Sequence, residues 1–238
     1  MPEPQSVFSI VIPIHNEAGF LPQALPALQA ELADLGVPFD INLVENGSTD
    51  GTAQTAVAES ASFPEVRISR QPVADYGTAM LAGFMEATGT WVVNFDIDYT
   101  SASFLKQVLA DGTDADVILA SKRAPGSDDR RGLVRRLATF AFNAVLRILV
   151  KSSVSDTHGI KAVRRDVVQD LAPKVVSRKD LFDTELVVRA GHAGYRIVEF
   201  PIVVEEQREA RSKLWKRIPR TLRGIWRIRR QLKTEGVL

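Results

Sequence analysis

Short apolar runs alternate with longer stretches of mixed polarity through the first half of the chain. Residues 7–13 (VFSIVIP), 39–45, 66–69, 91–95 and 117–120 are rich in β-branched and aromatic side chains and read as strands. Residues 17–35, 51–59, 76–87 and 101–110 carry helical spacing between them. Pro22 and Pro26 complicate the first half of the first helix. The alternation predicts an α/β fold, with a mostly parallel central sheet and helices on both faces. Beyond residue 124 the pattern changes. Residues 133–150 form a strongly apolar helix, 160–163 a short strand before a helix at 164–171, and 183–193 another helix. A strand over 195–204 is interrupted by Pro201, which favours an edge or a bulge.

Right-handed strand-helix-strand connections place the C-terminal ends of the strands, and the loops that follow them, along one edge. The polar clusters HNEA, NGSTDGT, DIDYT and SKR fall at those ends. Asp96 and Asp98 follow the run WVVNF. If the segment stays extended, positions i and i+2 point the same way, so both carboxylates face one site. Two hard oxygen ligands there suit Mg²⁺ or Mn²⁺, which keeps open positions for diphosphate oxygens. In VENGSTDGT, Asn46 and Asp50 are candidates for base or ribose contact, whereas Gly47 and Gly51 read equally well as turn formers. Neither a GK[ST] phosphate loop nor GxGxxG is present.

Composition narrows the setting. The 238 residues include no cysteine, so disulfides and thiolate metal sites are excluded. The N-terminus does not read as a signal peptide. A net charge of +1 conceals a division. Residues 211–233 hold ten Lys or Arg and no acid, against 20 basic and 28 acidic residues before them. An acidic body argues against nucleic acid as a partner. The tail stripe Leu214, Ile218, Leu222, Ile225 and Trp226, set among cations, suits an anionic membrane surface. The 133–150 helix reads equally as core or as an interfacial helix.

Segments 9–18 (SIVIPIHNEA), 45–52 (ENGSTDGT), 76–84 (YGTAMLAGF) and 95–101 (FDIDYTS) resemble the motifs of family 2 glycosyltransferases with the GT-A fold. SDTHGIKAVRRDV, FDTELVVRAGHAGYRIVEFPI and RSKL resemble the dolichyl- and polyprenyl-phosphate mannose or glucose synthases. The resemblance implies a catalytic domain over residues 1–210, with 211–238 as a basic amphipathic segment. It also implies inverting transfer of a hexose from GDP-mannose or UDP-glucose to a polyprenyl phosphate, with Mg²⁺ or Mn²⁺. The expected setting is the cytosolic membrane face, peripherally bound, with a membrane-protein partner as a further expectation.

Carried over by position, Pro13, His15, Glu17, Glu45 and Asn46 match nucleotide contacts, although relatives have Tyr or Phe at His15 and commonly Asp-Asp at 45–46. Asp96, Asp98 and Thr100 match metal ligands, and Arg123 a phosphate contact. Arg131, Arg135, His158, Arg208, Ser212 and Lys213 are acceptor or phosphate candidates. Gln207 stands where the family has Arg, and His158 reads equally as a packed loop residue. No ED pair supplying an Asp base, and no QxxRW, is found. A phosphate acceptor is already largely dianionic at neutral pH and needs no such base. The competing reading is a family 2 enzyme acting on a hydroxyl of a glycan or small molecule, marked by a base near Asp98. A non-catalytic membrane scaffold is the third.

Overall fold

The computed structural model describes residues 6–112, 114–130, 132–157, 159–204 and 214–238. Its elements follow the hydrophobic pattern closely: β1 (Phe8–Ile14), α1 (Leu21–Ala33), β2 (Phe39–Asn46), α2 (Thr52–Ser60), β3 (Val66–Gln71), α3 (Tyr76–Glu86), β4 (Trp91–Asn94), α4 (Ala102–Asp111) and β5 (Val117–Ser121). The second half contains β6 (Asp128–Asp129), α5 (Leu133–Val150), β7 (Lys161–Arg164), α6 (Arg165–Leu171), α7 (Phe182–His192), β8 (Ile197–Pro201), β9 (Val203–Val204) and α8 (Leu214–Thr234). Helix α1 begins four residues later than its pattern suggests. The Glu17 carbonyl accepts from the Phe20 and Leu21 amides in a preceding turn, and Pro22 then occupies the first helical turn.

The main sheet has the order β3-β2-β1-β4-β7-β5-β8. Most pairs are parallel, but β7 runs antiparallel to both β4 and β5, so the sheet is mixed. Alternation along β1 divides the core. Ile10, Ile12 and Ile14 face α1, α2 and α4, while Val11 faces α3, α6 and α7. Gly83 permits the close approach of α3 to the sheet: a Cβ there would stand 2.4 Å from Val11 Cγ1 and 2.9 Å from Val44 Cγ2. Gly83→Ala should therefore destabilise the fold by about 1–3 kcal/mol through overpacking, despite the better helix propensity of Ala. Chemical denaturation checks this; an unchanged midpoint would show that α3 has room to move.

The basic C-terminal segment is packed against the body. Ile225, Ile228 and Leu232 of α8 are fully buried with Leu146 and Val150 of α5, and with Leu181 and Val188. Buried Arg189 of α7 pairs with Glu185 at 2.8 Å and with Glu235 at 2.6 Å, tying the end of α8 to α7. The Arg229 guanidinium donates to the Leu149 carbonyl at 2.6 Å. The expected tail stripe is thus divided: Ile225 enters the core, whereas Ile218, Leu222 and Trp226 stay exposed. Helix α5 is divided too, with Leu133, Val134, Leu137, Phe140 and Ile148 exposed. Among the described residues, no helix is long and apolar enough to cross a membrane.

Candidate active site

The loops after β1 and β2 lock together. The Asn16 amide N–H donates to Ser48 Oγ, and the Thr49 amide donates to Asn16 Oδ1. Asp50 accepts from the Ala18 amide and from the Thr52 hydroxyl, which also accepts from the Glu17 amide. His15 Nδ1 donates to the Asn46 carbonyl at 2.7 Å, leaving Nε2 as an acceptor 3.3 Å from the Asn16 side-chain Nδ2. The structure therefore brings His15, Glu17, Glu45 and Asn46 to one edge, where Pro13 pairs with Val44 in the sheet. Two of these side chains are engaged in shaping it. Buried Glu45 accepts from the Ser48 amide at 2.7 Å, and buried Asn46 accepts from the Asp75 amide at 2.8 Å. Asp75 in turn caps α3 by accepting from the Thr78 amide.

Strand β4 ends at Asn94, and DIDY closes into a tight turn. The Tyr99 amide donates to the Asp96 carbonyl at 2.9 Å, and Ile97 is buried beneath. The expected extended geometry is corrected: the carboxylates are presented by a turn, because Ile97 must enter the core. Asp96 is solvent-accessible yet densely surrounded by protein. Loss of solvent, then the negative charges of Asp183 and Asp98, push its carboxyl up to about 6, opposed by Lys161 and Lys122. Because the side chain itself meets water, the neighbouring carboxylates are the firmer cause. Thr100 follows the turn directly before Ser101, the cap of α4.

The sequence reading gave no catalytic role to the group beside this turn. Lys161, fully buried on β7, lies in register with Asn94. Its Nζ donates to the Gly159 carbonyl at 2.8 Å, approaches Asn94 Oδ1 at 3.3 Å and pairs with Asp183 Oδ1 at 3.1 Å. The Tyr76 hydroxyl donates to Asp183 Oδ2 at 2.6 Å. Asp183 opens α7 at the end of a segment more than 80 residues beyond the DIDY turn, so only folding joins them. Buried Asp156 pairs with Lys122 at 3.5 Å.

Lys122, not Arg123, is the SKR cation acting on Asp96. Arg123 is exposed and stacks over Phe140 of α5, 5.0 Å from the ring centroid. Arg135 lies in the first turn of α5. Arg131, His158, Arg208, Ser212 and Lys213 lie outside the described residues.

The sequence model of glycosyl transferase family 2 matches residues 9–172, the stretch that carries the interlocked loops, the DIDY turn and Lys161. The chain belongs to this family. It is 30% identical over 207 residues to an uncharacterized glycosyltransferase of Mycobacterium tuberculosis, covering 87% of this chain and 88% of the relative. An undecaprenyl-phosphate mannosyltransferase of Micrococcus luteus is 28% identical over 86% of each chain. The fold is shared with glucosyl-3-phosphoglycerate synthase of Mycobacterium tuberculosis, solved with Mn²⁺, UDP-glucose and phosphoglyceric acid. That match has a TM-score of 0.68 and 17% identity, covering 98% of this chain and 81% of the other. Another crystal structure of that synthase, with Mg²⁺ and UDP, has a TM-score of 0.67 and 19% identity.

These findings confirm the α/β GT-A fold and family 2 glycosyltransferase activity, and correct the finer expectation. A dolichyl- or polyprenyl-phosphate hexose synthase was expected; the solved structures that share the fold include those of glucosyl-3-phosphoglycerate synthase with phosphoglyceric acid bound. The lipid-phosphate acceptor and the membrane-protein partner are withdrawn with it. Asp183 places a further carboxylate close enough to Asp96 for its charge to act there.

Proposed function

We propose that this protein moves a hexose from a nucleoside diphosphate sugar to a hydroxyl group of a small phosphorylated acceptor. The observation that carries the reading is the carboxylate of Asp183, held by Lys161 and Tyr76 and close enough to Asp96 for its charge to act there. The interlocked β1 and β2 loops with the cap of α3 form the nucleoside end, supported by His15, Glu17, Glu45 and Asn46.

The turn fits a divalent cation, because mutual repulsion among Asp96, Asp98 and Asp183 leaves surplus negative charge. Among the described residues no group of three or more metal-ligating side chains converges, so Asp96 and Asp98 would share the ion with donor oxygens and water. When bound, Mg²⁺ or Mn²⁺ neutralises the charge developing on the leaving diphosphate. Asp183 accepts the proton of the acceptor hydroxyl as its oxygen bonds to the anomeric carbon. The bond from that carbon to the diphosphate oxygen breaks, its electron pair leaving with the nucleotide, in one displacement that inverts the anomeric centre. Lys161 and Tyr76 orient Asp183 through its two carboxylate oxygens.

The assay is purified protein with UDP-glucose or GDP-mannose, Mn²⁺ or Mg²⁺, and either 3-phosphoglycerate and related phosphorylated hydroxy acids or polyprenyl phosphate. Label should enter a water-soluble, phosphatase-sensitive product. Transfer into the organic phase alone would overturn the acceptor assignment. Peripheral contact with an anionic surface is a separate proposal, supported by exposed Ile218, Leu222 and Trp226 among the cations of α8. Sedimentation with anionic vesicles at low and high salt checks it.

A further inference from the structure

Helix α8 presents a third face. Arg220, Arg223 and Arg227 recur at helical spacing on the side of Gly224, away from the buried Ile228 and Leu232. Gly224 brings this face close to the 3-10 turn Lys179–Leu181: a Cβ there would stand 2.2 Å from Leu181 Cδ1. The two elements enclose a cleft of about 260 Å³ whose described lining includes Arg178, Lys179, Arg220, Arg223 and Arg227 and no carboxylate. Cationic side chains gathered in one cleft raise the local positive potential and attract an anion.

The cleft wall is also fixed against the active site. Lys179 holds a left-handed backbone at φ 60°, uncommon for a residue with a side chain, and its amide donates to Asp75 Oδ1 at 3.2 Å. Arg178 passes so close to α3 that a Cβ on Gly77 would lie 2.7 Å from its Cα. Asp183 follows Lys179 by four residues, so the cleft wall and this carboxylate belong to one short segment.

We infer that this cleft binds the phosphate group of the acceptor, holding it while the acceptor hydroxyl reaches Asp183. The inference rests on the proposed hydroxyl-acceptor reading. Arginine suits the task because its planar fork meets phosphate oxygens in pairs. Its location separates it from the donor diphosphate, which belongs to the DIDY turn.

The test uses the full chain and the double variant Arg223→Gln, Arg227→Gln, both exposed positions, with a melting temperature no lower than that of the wild type as the check that the fold is kept. Inorganic phosphate, titrated calorimetrically with UDP and Mn²⁺ already saturating, should bind the wild type and bind the variant at least tenfold more weakly, with UDP affinity unchanged. In transfer assays the variant's KM for a phosphorylated acceptor should rise at least tenfold with kcat within about twofold. Equal phosphate binding by both proteins overturns the site. Loss of anionic-vesicle binding with soluble phosphate binding intact overturns it too, assigning the cleft to a lipid surface. Phosphate binding requires no turnover: if it falls in the variant while neither protein transfers sugar to any phosphorylated acceptor, the hydroxyl-acceptor reading is what has failed.

Discussion

Asp183→Asn should lower transfer to a hydroxyl acceptor by about 10²–10⁴-fold, the range removed with a positioned general base. The amide keeps the size of the carboxylate and can still accept from Tyr76, but it cannot take the proton of the attacking hydroxyl. The substitution also leaves the buried Lys161 ammonium without its partner at 3.1 Å, a separate cost to stability. The double variant Asp183→Asn, Lys161→Met separates the two effects. It removes the unpaired charge, so the melting temperature should recover relative to Asp183→Asn, whereas activity should not. Nucleotide affinity should stay near that of the wild type throughout. Full activity in Asp183→Asn, with the fold verified, would remove Asp183 from the chemistry and take the hydroxyl-acceptor reading with it.

Asp98→Asn should lower turnover by about 10²–10³-fold, the loss expected when preorganised charge opposite a leaving diphosphate is weakened. Little core packing is disturbed, since Ile97, not Asp98, enters the interior. Loss of one neighbouring negative charge should also bring the Asp96 carboxyl down from about 6 toward its ordinary value. In the wild type, a cation must displace the Asp96 proton below pH of about 6, so apparent metal affinity should fall as pH drops through that value. Above it the carboxylate is already ionised and the dependence should flatten. Turnover against Mn²⁺ concentration at several pH values measures both effects. Wild-type turnover by Asp98→Asn at limiting metal would sink the ligand assignment.

The interlocked loops were legible because their chemistry is local. Small polar residues after β1 and β2 need partners within a few residues or on the adjacent loop, and parallel pairing makes those loops neighbours. The DIDY turn was legible as a site but not as a geometry. Strand periodicity continues through Phe95, and only the burial of Ile97 shows where the chain turns. Arg123 was expected as a phosphate contact; the structure shows it stacked on Phe140, and neighbouring Lys122 is the cation that acts on Asp96. A one-residue difference in direction is invisible to a motif.

The hydrophobic pattern by itself determined the α/β class, the succession of β1 through β5 along the chain and the edge that bears the polar loops, because burial of apolar faces dictates period and connection handedness. It also determined the metal-suited carboxylates, since their spacing is contained in three residues. What only tertiary structure decided was the remainder of the site and the fate of the tail. Asp183 and Lys161 meet Asp96 because β7 enters the sheet antiparallel beside β4 and α7 packs across α3, contacts between segments far apart in sequence. The basic tail is amphipathic on any reading of its sequence. Its partners on the body set its roles: Ile225, Ile228 and Leu232 fill a shared core, and the arginines on another face are turned toward Arg178 and Lys179. A helical period states which side chains share a face; it does not state what that face will meet.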